Sequence, residues 1–239
     1  MAGPIALVGS GEYLPVMLEV ERALLGGRPP VYVQIPTAAA PEGQATLDRW
    51  IGLGRAQAQR LGVRAVPVVA RDRAEADDPE LASAVAGAGL VYLSGGNPGF
   101  LADALRGTRL WAAVEQAWRD GAALAGCSAG AMALTSWVPD FWHPGGSDRE
   151  GLGVVPQLRV IPHFDRFLGR MPDLLTRPFL RHSDGSTLLG IDEDTALVGG
   201  PEEFEVQGRQ SVWVLGEGSR RELPVGSRVS FPLDATARG

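Results

Sequence analysis

Short uninterrupted runs of apolar residues alternate, along the first half of the chain, with longer segments whose apolar positions recur at helical spacing. Ile5 to Gly9, Val31 to Ile35, Ala65 to Val69, Leu90 to Leu93 and Ala122 to Gly126 are of the first kind. A strand covered on both faces needs no polar alternation, so these runs predict the strands of a buried parallel sheet. Val16 to Leu25, Gln44 to Leu61, Asp78 to Ala86, Leu110 to Arg119 and the shorter Gly99 to Leu105 predict helices, with Asp78-Pro79 as a cap and first-turn pair. Strand and helix in alternation imply right-handed crossovers. The expected fold is therefore α/β, a three-layer αβα sandwich around a mostly parallel sheet.

The pattern changes near Leu188. Ser186 to Ile191, Thr195 to Val198, Glu203 to Val206, Gln210 to Leu215 and Arg228 to Phe231 read as short strands separated by Gly and Pro, with Val206-Gln207-Gly208-Arg209 as a hairpin turn. The expectation is a β-rich C-terminal extension, from about residue 188, of one domain covering 1–239, with Asp234 to Gly239 frayed.

Composition narrows the function classes. The chain has 239 residues, 45% of them hydrophobic, which is ample for one sizeable core. All 22 basic residues are Arg, and 28 acidic residues leave a net charge of −6. General nucleic-acid or anionic-membrane binding needs a basic surface, so neither is expected as a partner. A single cysteine excludes an internal disulfide. Met1-Ala2-Gly3-Pro4 runs directly into the first strand without a basic leader or long apolar stretch, which reads as cytoplasmic. A homodimer is left open.

The stretch that carries chemistry is Gly126-Cys127-Ser128-Ala129-Gly130, between a strand-like run and a small-residue helical start. It has the G-x-S-x-G pattern of a nucleophile elbow, which exposes the serine hydroxyl at a tight turn beside helix-start amides. The same pentapeptide suits an ordinary strand-to-helix turn capped by Ser128. A serine needs a base. Of three histidines, His163 ends the run Val160-Ile161-Pro162 ahead of a helix expected over Arg166 to Arg181, whereas His143 lies in a glycine-rich loop and His182 beside the turn Ser183-Asp184-Gly185. Asp192-Glu193-Asp194 offers acids after another strand-like run; alternation puts Glu193 on the face of Leu189 and Ile191, and Asp192 and Asp194 on the other. One of the three is expected to orient the histidine, with a solvated acidic turn as the alternative.

Ser94-Gly95-Gly96-Asn97 follows a strand and precedes a helical segment, so the Gly96 and Ala129 amides could face one substrate oxygen, or Asn97 could simply cap the helix. Gly9-Ser10-Gly11-Glu12 lacks the third glycine of a dinucleotide fingerprint, Leu14 standing there, and that reading is discarded. The His163/Asp165 and His182/Asp184 pairs lack further ligands at metal spacing, and Cys127, aimed back along its strand, reads as a small buried residue.

Taken together, Leu93-Ser94-Gly95-Gly96-Asn97, Gly126-Cys127-Ser128-Ala129-Gly130-Ala131, Ile161-Pro162-His163-Phe164 and Gly190-Ile191-Asp192-Glu193 resemble, in order, the motifs of the peptidase E and cyanophycinase group of serine peptidases. The resemblance covers most of the chain. It implies a class I glutamine-amidotransferase-like, flavodoxin-like sandwich, with Ser128 as nucleophile, His163 as general base, Glu193 as its orienter, Gly96 and Ala129 as oxyanion-hole donors, Asn97 as a substrate contact, and neither cofactor nor metal. The implied substrate is a small peptide or amide. Peptidase E enzymes cleave dipeptides with an N-terminal aspartate and cyanophycinases cleave β-aspartyl-arginine polymers; Pro162-His163-Phe164 is similar to the former, Asp192 to Ala196 to the latter, and the loop from Trp137 to Gly153 to neither. The readings from other classes are a catalytically silent member that binds a metabolite or partner, and a glutaminase-like subunit, which would ordinarily use cysteine. The serine-peptidase reading places Ser128 Oγ about 3 to 4 Å from the His163 ring.

Overall fold

The structure, a computed structural model, describes residues 1–139, 149–167, 185–216 and 219–233. Strand β1 (Ile5–Val8) leads through helix α1 (Leu18–Leu25) to β2 (Val31–Ile35), α2 (Gln44–Leu61) and β3 (Arg64–Pro67). Two short helices, α3 (Arg73–Ala76) and α4 (Pro79–Ser83), precede β4 (Leu90–Leu93), α5 (Pro98–Leu105), α6 (Arg109–Arg119), β5 (Ala123–Cys127) and α7 (Ala129–Ala133). The remainder is mostly strand: β6 (Trp137–Val138), β7 (Arg149–Glu150), β8 (Leu158–Ile161), the short helix α8 (Phe164–Phe167), β9 (Thr187–Ile191), β10 (Thr195–Gly199), β11 (Glu203–Gly208), β12 (Ser211–Gly216), β13 (Ser219–Pro224) and β14 (Arg228–Ser230).

The main sheet runs β14-β11-β10-β1-β5-β4-β2-β3. Its five N-terminal strands are parallel, as the apolar runs require. Alternate residues serve opposite faces: Ile5, Leu7, Val33, Val91 and Leu124 pack into one core, Ala6, Val8, Tyr32, Tyr92, Ala125 and Cys127 into the other. β3 sits lower than Ala65 to Val69 because its register sets Val31 against Arg64 and Gln34 against Pro67, and an edge strand tolerates the proline. Asp78 caps α4 through the Glu80 N–H (2.8 Å), yet the helix stops at Ser83, whose hydroxyl bonds back to the Glu80 carbonyl (2.7 Å).

The β-rich tail is divided between two sheets. β10, β11 and β14 extend the main sheet antiparallel beside β1, while β8, β9, β12 and β13 form a second, four-stranded sheet. This corrects one expectation. Val206 to Arg209 is not a hairpin turn, because β11 pairs with β10 and β14 whereas β12 pairs with β9 and β13. Val206, Gln207 and Gly208 are the end of β11 itself, paired with Leu197, Ala196 and Thr195; Arg209 and Gln210 carry the chain from one sheet to the other, and the β10–β11 hairpin instead turns between Gly199 and Phe204. His143, His182 with Asp184, most of the helix expected over Arg166 to Arg181, much of the Trp137 to Gly153 loop and the Asp234 to Gly239 tail lie outside the described residues.

Candidate active site

The C-terminal ends of β1, β4 and β5 lie side by side, and the loops that leave them form the floor of the site, in the crevice where open α/β sheets receive ligands. The elbow at the end of β5 is built as the sequence pattern requires. Ser128 stands at φ 51° and ψ −108°, a strained conformation for a residue with a side chain, and its N–H is held by the Val8 carbonyl at 2.9 Å. A Cβ at Gly126 would lie 2.5 Å from Gly130 backbone atoms, and one at Gly130 would lie 2.4 Å from the Leu93 carbonyl oxygen. Both glycines are thus required by close backbone approach. Ser128 makes no side-chain cap to α7, which removes the simple-cap reading; its hydroxyl meets His163 Nε2 at 3.0 Å.

His163 follows β8 and is itself at φ 49°. Its Nδ1 lies 3.0 Å from Glu193 Oε1. A carboxylate only accepts, so Nδ1 carries the proton there; in the neutral ring Nε2 is then the acceptor for the Ser128 hydroxyl. Ser128, His163 and Glu193 therefore form one continuous hydrogen-bonded chain, half-buried along its length.

Glu193 is held from several sides. Arg166 Nε pairs with Oε2 at 2.8 Å, the Glu193 N–H donates to Asp165 Oδ1 at 2.9 Å, and Gln210 donates its amide N–H to the Glu193 carbonyl at 2.9 Å. Strand alternation is not what places it, since β9 ends at Ile191 and Glu193 occupies the following turn, with Asp194 at φ 56°. The neighbouring acids are engaged elsewhere. Asp192 accepts from the Trp213 indole N–H (3.1 and 3.0 Å) and the Ser211 N–H (3.3 Å), with its pKa raised by burial against those opposing hydrogen bonds, and Asp194 pairs with Arg209 at 3.3 Å. Nothing in the sequence pattern marks Arg166 or Gln210 for this role, and Asp165 enters the sequence reading only as half of a His-x-Asp pair, a metal signal without further ligands.

Asn97 caps α5 by accepting the Phe100 N–H at 2.9 Å, and its own N–H donates to the Ala38 carbonyl at 2.8 Å. Gly96 beside it is exposed, at φ 137°, with Ala38 so close that a Cβ would stand 2.4 Å from its carbonyl oxygen. Cys127 is fully buried on the α1–α2 side of the sheet. Burial, then the charge of Glu12, push its thiol pKa well up, so it is a protonated donor to Glu12 Oε2 (2.8 Å) rather than a thiolate. Among the described residues no group of three or more His, Cys, Asp or Glu could hold a metal ion, and no helix is long and apolar enough to cross a membrane.

Comparison with known proteins identifies the family. The chain is 42% identical to a peptidase from an acI-B1 Actinobacterium of known crystal structure, superposing with a TM-score of 0.88 over 97% of this chain and 98% of that one. It is 28% identical to a cyanophycinase of Geminocystis herdmanii over 80% of this chain and 71% of that protein, and 31% identical to a cyanophycinase of Synechococcus elongatus over 66% of this chain and 49% of that protein. The model of peptidase family S51 matches residues 5–206. With that match spanning most of its length, the chain belongs to peptidase family S51, and it is a serine-type peptidase of the peptidase E and cyanophycinase kind.

Proposed function

We propose that this peptidase cleaves a small peptide or amide whose acyl side is an aspartyl or β-aspartyl residue, through a Ser128-His163-Glu193 triad and an acyl-enzyme. The observation that supports the reading is the hydrogen-bonded chain itself, 3.0 Å from Ser128 Oγ to His163 Nε2 and 3.0 Å from Nδ1 to Glu193. His163 takes the Ser128 proton as Oγ attacks the scissile carbonyl, and Glu193 stabilises the imidazolium that forms. The oxyanion settles against the Gly96 and Ala129 N–H groups; His163 then gives its proton to the leaving amine, and water repeats the sequence to release the acid. Asn97, its side-chain oxygen occupied by the α5 cap, would meet substrate through its amide nitrogen.

A fluorophosphonate probe tests the nucleophile, because only an activated serine is labelled; mass spectrometry of the digested protein is expected to find the adduct on Ser128. A library of α- and β-aspartyl dipeptides, with non-acidic dipeptides alongside, tests the substrate class. Equal turnover of acidic and non-acidic members would overturn the aspartyl assignment and leave the triad standing.

A further inference from the structure

The loop after β1 takes no part in the Ser128-His163-Glu193 chain, yet it enters the same crevice. The Leu14 N–H closes a turn on the Gly11 carbonyl at 3.0 Å, with Tyr13 at φ 62°. The buried Tyr13 ring packs against Trp50 and Tyr92, with centroids 5.9 and 5.3 Å away, and its hydroxyl meets Ser94 Oγ at 2.5 Å. Tyr13 thus fastens this loop to the start of the loop after β4. Its neighbour Glu12 is thereby set between the loops of β4 and β5. Glu12 Oε1 accepts the Gly95 N–H at 3.1 Å, and Oε2 accepts the Cys127 thiol hydrogen at 2.8 Å.

Each of those partners immediately precedes a group of interest. Gly95 precedes Gly96, and Cys127 precedes Ser128 and Ala129. The geometry points to Glu12 as a positioning residue that fixes the distance between the Gly96 and Ala129 N–H groups, and so the width of the oxyanion site. This inference rests on the function proposed above. The assignment explains why a carboxylate stands where a negative charge would by itself oppose a developing oxyanion: two acceptor oxygens on one rigid plane are needed to hold two donors on separate loops. It also gives the raised pKa of Cys127 a use, because a thiol kept protonated can donate to Oε2.

Glu12→Ala removes both arms. A displacement of the donors by a fraction of an ångström acts on the transition state rather than on substrate binding, so kcat is expected to fall by roughly 30- to 100-fold while KM stays within about threefold. Glu12→Gln keeps one acceptor oxygen for the Gly95 N–H and is expected to recover most of that loss. The clamp is overturned if Glu12→Ala turns over at the wild-type rate, if its loss appears in KM alone, or if Glu12→Gln is no better than Glu12→Ala. Should Glu12→Ala fail to fold, Cys127→Ala and Cys127→Ser carry the test: the serine hydroxyl can still donate to Oε2 and the alanine cannot, so the clamp requires the alanine variant to be the slower, and equal rates overturn it. Fluorophosphonate labelling separates this inference from the one beneath it. Wild-type protein that resists the probe removes the Ser128 reading, and the clamp with it; wild-type and Glu12→Ala protein labelled on Ser128 at one rate remove the clamp alone.

Discussion

Glu193 Oε1 lies 3.0 Å from His163 Nδ1, while the acids on either side of it turn away, Asp192 to the Trp213 indole and Asp194 to Arg209. The three consecutive acids thus form a built-in comparison. Glu193→Gln is expected to lower kcat by about 10²-fold or more, since an amide neither enforces the tautomer nor stabilises the imidazolium. Asp192→Asn and Asp194→Asn should stay within about tenfold of wild type. Steady-state kinetics on the three variants, with circular dichroism to verify folding, decide it; an Asp192→Asn loss as deep as that of Glu193→Gln would reverse the assignment.

Ser128→Ala should leave the fold intact and turnover reduced by about 10⁴-fold or more, because in the proposed mechanism the hydroxyl is the attacking group, and it contributes little packing. Cys127→Ser should retain most activity, the hydroxyl replacing the thiol as donor to Glu12. An inactive Cys127→Ser beside an active Ser128→Ala would exchange the two roles.

Gly130→Ala and Gly126→Ala test the elbow as an object of packing. The added methyl would collide with the Leu93 carbonyl in the first case and with Gly130 backbone in the second. Backbone cannot rotate aside as a side chain can, so each variant should lose about 1–3 kcal/mol of stability, seen in a thermal melt as a Tm lower by roughly 3 to 10 °C. An unchanged Tm in both would show that the elbow has room to relax.

Glu21 supplies a pH test away from the site. It is 1% exposed on α1, and burial raises its pKa from 4.5 to about 7, with Gln57, Tyr32 and the charge of Arg60 opposing only in part. Between those two values the folded protein binds more protons than the unfolded chain, so stability falls as pH rises through that window. Glu21→Gln removes the titrating group. It is expected to be more stable than wild type at pH 8, by up to roughly 3 kcal/mol, and little changed near pH 4.5. Parallel denaturant titrations at the two pH values, with no gain at pH 8, would refute it.

The apolar runs specify the parallel half of the main sheet because each strand there is covered on both faces, and periodicity records burial directly. β13 leaves no signature in the sequence for the converse reason. Ser219 to Pro224 is mostly exposed, with Arg220, Arg221 and Glu222 in its middle, so no apolar alternation marks it. The division of the tail into two sheets is likewise a matter of which strand pairs with which, and local patterns carry no record of partners. That Ser128, His163 and Glu193 come together was legible because each stands next to a strand end in a distinctive short motif. Glu12 was not: a lone glutamate in a glycine turn acquires meaning only when folding brings Gly95 and Cys127 to it, 83 and 115 residues further along.

Ser128 follows a strand of the main sheet, His163 follows a strand of the second, and Glu193 stands on the turn where the chain leaves β9 of the second sheet for β10 of the main one. Phe164, next to His163, is seated in its own small cluster with Ile161, Leu188 and Leu215. The His163–Glu193 contact therefore lies within the second sheet and the turn that leaves it, whereas the serine contact crosses from one sheet to another over a shared hydrophobic core. Repacking beneath the second sheet, too gentle to unfold it, is expected to lengthen the Ser128–His163 contact before the His163–Glu193 one and, in the proposed mechanism, to slow turnover before it lowers the Tm.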